Sequence, residues 1–143
     1  MRTLICAILV TILCFSCTSE SNSPLEGTWE LIKGELKSED SVLSYPMTTS
    51  SKHLKIFTKT HFVTVWQDTT KPDPAYPGFN GGTYKLAEEI YTENLDYYSF
   101  PELIGTKAIF RIKLEKDKFI ISPVTEDGKD LEFGTFEEWK RVE

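Results

Sequence analysis

Glu93 is the residue in this chain whose setting points most directly to chemistry. It stands in Tyr91-Thr92-Glu93. A strand period of two puts Tyr91, Glu93, Leu95 and Tyr97 on one face. If that face turns inward, Glu93 needs a partner, because an unpaired buried carboxylate is costly. Arg111, on a later strand, is the candidate. A buried polar pair among aromatic rings is a common way to build a ligand cavity. In the other arrangement Glu93 faces water and Arg111 sits outside, opposite Phe110 and Ile112. Trp66, Tyr84, Tyr91, Tyr97 and Phe110 then either line a cavity or fill a core. The candidate ligand-binding set is Trp66, Tyr84, Tyr91, Glu93, Tyr97 and Arg111.

Other chemistry finds little support. The sequence has no Gly-x-Ser-x-Gly, no P-loop and no His-Glu-x-x-His, the patterns that would mark a nucleophile elbow, a phosphate cradle or a zinc protease. Its two histidines, His53 and His61, lack metal-ligand spacing and read as surface or strand-edge residues. Asn80-Gly81-Gly82 leads into Thr83-Tyr84-Lys85-Leu86, a strand pattern. The helix N-terminus that would hold a phosphate is missing, and the glycines read as a bulge or positive-φ site. The expectation is a protein that is not an enzyme and holds neither metal nor cofactor.

The three cysteines, Cys6, Cys14 and Cys17, all lie at the N-terminus. Arg2 precedes an uncharged run from Leu4 to Phe15, about the length of a signal-peptide apolar region and shorter than the roughly 20 residues of a membrane-spanning helix. Cys14-Phe15-Ser16-Cys17 resembles the lipobox of bacterial lipoproteins. That resemblance implies cleavage before Cys17 and lipid on its thiol; the alternative is an ordinary secretory leader cut nearby. The expected organisation is a leader at 1–16, a lipidated cysteine and flexible tether at 17–24, and one domain at 25–143. The domain then keeps no thiol for a disulfide or a metal. The expected address is the cell envelope, lipid-anchored on the periplasmic face of the outer membrane, with the membrane as a partner and any protein partner unknown. The formal charge of −6, without a basic stripe, argues against nucleic-acid binding.

The elements that must position Glu93 read as strands. Alternating or β-branched and aromatic runs recur at 27–36, 53–57, 61–66, 79–86, 90–98, 106–114, 119–122 and 133–142, separated by turn residues. Residues 37–51 are polar and Ser/Thr-rich and read as a loop. Asp68 to Gly78 carries Pro72, Pro74 and Pro77 and reads as a second loop, either a lid or a plain connector. About eight short strands with hairpin-length links predict an all-β antiparallel fold. An up-and-down eight-stranded barrel removes exposed edges. A two-sheet β-sandwich would give a similar pattern.

Gly27-Thr28-Trp29 at the first strand and Glu138-Trp139-Lys140-Arg141-Val142 near the end resemble the lipocalin superfamily in its broad sense. The chain as a whole looks like small lipocalin-like lipoproteins of unknown function from Gram-negative bacteria, over roughly Leu25 to Glu143. The resemblance implies a barrel closed at one end by Gly27, Trp29 and Arg141, with the Arg141 guanidinium over the Trp29 indole as a cation–π pair. Such a barrel is either packed solid or holds one small ligand. The expected function is a lipid-anchored envelope protein that binds a small apolar or amphipathic ligand. The alternative is a filled barrel that binds a protein partner.

Overall fold

The computed structural model describes residues 23–46, 51–67 and 77–143. The leader, Cys17, most of the tether, and Pro72 and Pro74 of the proline-rich segment lie outside the described residues.

Among the described residues nine strands form one antiparallel sheet that closes on itself. They are β1 (Gly27–Lys37), β2 (Val42–Tyr45), β3 (Lys52–Phe57), β4 (His61–Gln67), β5 (Pro77–Ala87), β6 (Ile90–Tyr98), β7 (Lys107–Leu114), β8 (Lys118–Pro123) and β9 (Gly134–Arg141), with one 3-10 turn at Pro101–Leu103. Each strand from β3 onward pairs with the next, and β9 returns to β1 from Trp29↔Arg141 to Lys37↔Gly134. The other edge of β1 is shared. Its first half pairs with β3 and its second half with β2. β2 and β3 are thus two segments of a single stave, and the barrel has eight staves. A two-sheet sandwich is excluded by the closure.

The eight expected strands are all present. The reading of 37–51 as pure loop is corrected by β2, whose exposed Val42, Leu43 and Ser44 gave no alternation to read. Pro77 opens β5, a position where the missing N–H is tolerated.

The two ends of the barrel differ. Short turns at 58–60, 88–89 and 115–117 close one end, tied by bonds such as Thr58 N–H to His61 O at 2.9 Å and Glu115 N–H to Lys118 O at 2.7 Å. The longer connections at 99–106 and 124–133 lie at the other. At the short-turn end the interior is solid. Trp29, Leu25, Tyr91, Phe119 and Trp139 are almost fully buried. Trp29 meets Phe119 edge-on at 4.8 Å, and Phe119 stacks on Trp139 at 6.0 Å.

The N-terminal segment is strapped across this end. The Trp29 indole N–H donates to Leu25 O at 2.8 Å. The Arg141 guanidinium carbon lies 4.1 Å from the Trp29 ring centroid, and its nitrogens donate to Glu26 O at 2.6 Å and Pro24 O at 2.7 Å. Gly27 is required here: its φ is +125°, and a Cβ would come within 2.4 Å of Glu143 O.

Candidate functional site

Above the solid end the barrel is hollow. A cavity of about 500 Å³ opens toward the longer loops, walled by Leu36, Leu43, Tyr45, His53, Trp66, Leu95, Tyr98, Leu103, Ala108 and Phe110, with Lys55, Thr64, Asn80, Glu93 and Glu137 among its polar groups.

Two cross-strand pairs keep it open. Tyr45 lies opposite Gly34 on β1, and Trp66 lies opposite Gly78 on β5. In both pairs the ring is laid flat over the glycine backbone: a Cβ at Gly34 would come within 2.1 Å of the Tyr45 ring, and one at Gly78 within 1.9 Å of the Trp66 indole. Each aromatic therefore becomes wall. The rings then run in sequence around the mouth. Tyr45 stacks on His53 at 5.7 Å, His53 on Trp66 at 6.2 Å, and Trp66 meets Tyr98 edge-on at 6.2 Å.

The cavity floor is charged. Lys55 on β3 and Glu93 on β6 are 3% and 4% exposed, and Lys55 Nζ donates to Glu93 Oε1 at 2.5 Å. The Tyr91 hydroxyl donates to the same oxygen at 2.6 Å. Aromatic faces surround the ammonium, with the Phe62 and Trp139 centroids each 5.3 Å from Nζ. Nearby, Glu137 on β9 accepts from the Tyr45 hydroxyl and from the Trp139 indole N–H, both at 2.9 Å. Burial pushes the Glu137 carboxyl above its ordinary range, Lys55 opposes that, and Glu93 adds to it by repulsion. Burial, with the neighbouring carboxylates, also holds the Tyr45 and Tyr91 hydroxyls protonated far above their ordinary range, so both stay donors. Two buried polar atoms of the wall, Thr64 Oγ1 and Asn80 Oδ1, have no hydrogen-bond partner among the described residues.

A buried ion pair is a poor device for stability, because desolvation offsets most of the attraction. A barrel that needed only to be filled would carry apolar side chains at 55 and 93. A few fixed polar groups in an apolar well are the arrangement found in small-molecule sites.

The expected residues fall in different places. Glu93 points inward, and its partner is Lys55 rather than Arg111. Arg111 lies outside, where it donates to Asp130 at 2.9 Å and Gly128 O at 2.7 Å and so clamps the 124–133 loop against the wall. Tyr97 is also outside and 65% exposed. The period of two breaks in β6, where Gly81 pairs with Tyr97 but Gly82 pairs with Leu95, leaving Asp96 as an extra residue. That bulge turns Tyr97 out and Tyr98 in. Trp66 and Phe110 line the cavity. Tyr91 supports Glu93 from below, and Tyr84 sits lower still, its hydroxyl donating to Thr58 O. His53, read as a surface or edge residue, is in the aromatic ring of the mouth, whereas His61 is exposed. Among the described residues no cluster of His, Cys, Asp or Glu could hold a metal.

Lys55 and Glu137 were missed. Glu137 had a signal, since it stands two residues from Trp139 and therefore on its face, whereas Lys55 shares a face with Phe57 in a strand whose other face, Leu54 and Ile56, is equally apolar.

The closed eight-stave geometry has counterparts among solved structures. A lipocalin-like protein from Bacteroides uniformis ATCC 8492 superposes with a TM-score of 0.52 at 16% identity, over 84% of this chain and 100% of that one. The fold is lipocalin-like. An uncharacterised protein from Bacteroides eggerthii DSM 20697 matches this lipocalin-like barrel with a TM-score of 0.51 at 14% identity, over 82% of this chain and 99% of that one. No family model matches the sequence, and no curated protein matches it.

Proposed function

We propose that this protein is a lipid-anchored envelope protein that binds a small amphipathic molecule inside its lipocalin-like barrel and catalyses no reaction. The observation that carries the binding reading is the cavity itself, about 500 Å³, walled by aromatic rings and floored by Lys55, Glu93 and Glu137. It lies within the volume range of small-molecule sites and has their character, mostly apolar with a few fixed polar groups. The lipobox-type leader supports the anchored address, with Cys17 as the lipid-bearing residue and the periplasmic face of the outer membrane as the destination.

Titration of the full-length protein with the apolar fluorophore N-phenyl-1-naphthylamine tests the binding reading. A saturable 1:1 enhancement is expected, and a linear, unsaturable rise would sink it. The anchor is tested separately by fractionating cells that carry Cys17→Ala. The variant should leave the membrane fraction; if it stays there as the unaltered chain does, the anchoring reading is wrong.

A further inference from the structure

We infer that the cavity is built for a molecule that enters with a protonated primary amine foremost and carries an apolar body behind it. The inference rests on the ligand-binding reading and assigns the chemistry of the ligand's leading group.

The argument starts from charge. The floor holds two carboxylates, Glu93 and Glu137, and one ammonium, Lys55. That ammonium is bonded to Glu93. Among the described residues Glu137 accepts hydrogen bonds from neutral donors, Tyr45 and Trp139, and the Lys55 ammonium acts on it through space. With Glu137 ionised the site is one positive charge short, and an ammonium brought by the ligand supplies that charge and favours the ionised carboxyl against the burial that raises it. A fatty-acid carboxylate or a phosphate would instead meet two acidic groups at close range.

Hydrogen-bonding capacity points the same way. Lys55, Tyr91, Tyr45 and Trp139 each give a hydrogen bond to one of the two carboxylates. Among the described residues the buried polar side-chain atoms without a partner are both oxygens, Thr64 Oγ1 and Asn80 Oδ1, and each can accept. A buried acceptor without a donor is costly, so a ligand that brings N–H groups relieves it. Primary ammonium carries three such donors. Quaternary ammonium carries none and would leave both oxygens bare.

The route down to the floor also suits a cation. His53, Trp66, Tyr45 and Tyr98 present a succession of rings around the mouth, and ring faces attract ammonium groups. Their width, together with Leu36, Leu95 and Phe110, accommodates the apolar body.

Four eight-carbon probes decide the matter by calorimetry on the full-length protein: octylamine, octan-1-ol, octanoate and trimethyloctylammonium. Octylamine should bind about tenfold or more tighter than the alcohol, the difference of one charge-assisted contact. Octanoate should bind more weakly than the alcohol, and the trimethylated cation more weakly than octylamine. Glu137→Gln should weaken octylamine by about tenfold more than it weakens the alcohol, closing the gap between the two. The inference is overturned if octanoate matches or exceeds octylamine, or if Glu137→Gln weakens amine and alcohol alike. Should that variant fail to fold, the ranking of the four probes on the unaltered protein decides alone. Alcohol binding without an amine preference would remove this inference and leave the cavity reading standing, whereas no saturable binding by any probe would remove both.

Discussion

The two halves of this barrel use the same residue types for opposite ends. At the short-turn end, Trp29, Phe57, Phe119 and Trp139 interlock edge-to-face and stacked, leaving no room between them. At the loop end, Tyr45, His53, Trp66 and Tyr98 are equally large but leave a well between them. The difference lies in their neighbours. Large rings face other large rings below, whereas two of the upper rings face glycine across the strand pair. Aromatic content alone thus says nothing of whether a barrel is full; the residue opposite each ring does.

Three substitutions press on that contrast. The largest effect on stability belongs to Trp29→Ala. It opens the packed end, with an expected loss of about 3–5 kcal/mol by denaturant unfolding, while fluorophore affinity of the folded protein stays unchanged. A loss of binding without a loss of stability would show that the two ends are not separate. Gly78→Ala should reverse the pattern. Its Cβ has no room beneath the Trp66 indole, so the ring must tilt into the well. Stability should fall by about 1–3 kcal/mol and fluorophore affinity by about tenfold. If affinity is unchanged, the glycine is not what holds the well open.

The smallest effect is a change of slope. Glu137 holds its proton more tightly in the folded protein than in the unfolded chain, because burial raises its carboxyl above the ordinary 4.5. The resulting stabilisation is complete below 4.5 and is lost as pH climbs through the folded-state value. The groups facing it are Lys55, Glu93, Tyr45 and Trp139. Glu137→Gln has no such proton to lose. Its stability relative to the unaltered protein should therefore rise between about pH 4.5 and 7, measured by urea unfolding at several pH values. A difference that is flat across this window would mean that burial does not raise the Glu137 carboxyl in the folded protein.

The fold was legible in the chain because every stave but one shows its alternation or its turn chemistry. Ala108, Phe110, Ile112 and Leu114 share a face, as a period of two requires, and the Thr58 to Thr60 and Glu115 to Lys118 turns fall where polar residues interrupt the runs. The site was legible only in part. Glu93 and Trp66 were found because they sit in strands with a readable phase. Tyr97 was placed wrongly because a single extra residue in β6 inverts the phase beyond it, and nothing in the pairing Asn94-Leu95-Asp96-Tyr97 announces a bulge. Lys55 was hidden for a different reason. In His53-Leu54-Lys55-Ile56-Phe57 both faces carry apolar residues, and the face with the lysine is the one that turns inward, leaving Ile56 exposed. Which face is inner depends on the closure of the whole ring, information that no local window contains.

The strap made by Arg141 and Trp29 also gives the molecule a direction. Ser23 to Glu26 leaves the barrel at the sealed end, beside the C-terminal Glu143, whose carbonyl oxygen accepts from Thr28 N–H at 3.1 Å. On the anchor proposed at Cys17, the chain is held by its sealed base. The well then faces away from the membrane like a cup set upright on a table, and the proposed ligand reaches it from the open compartment.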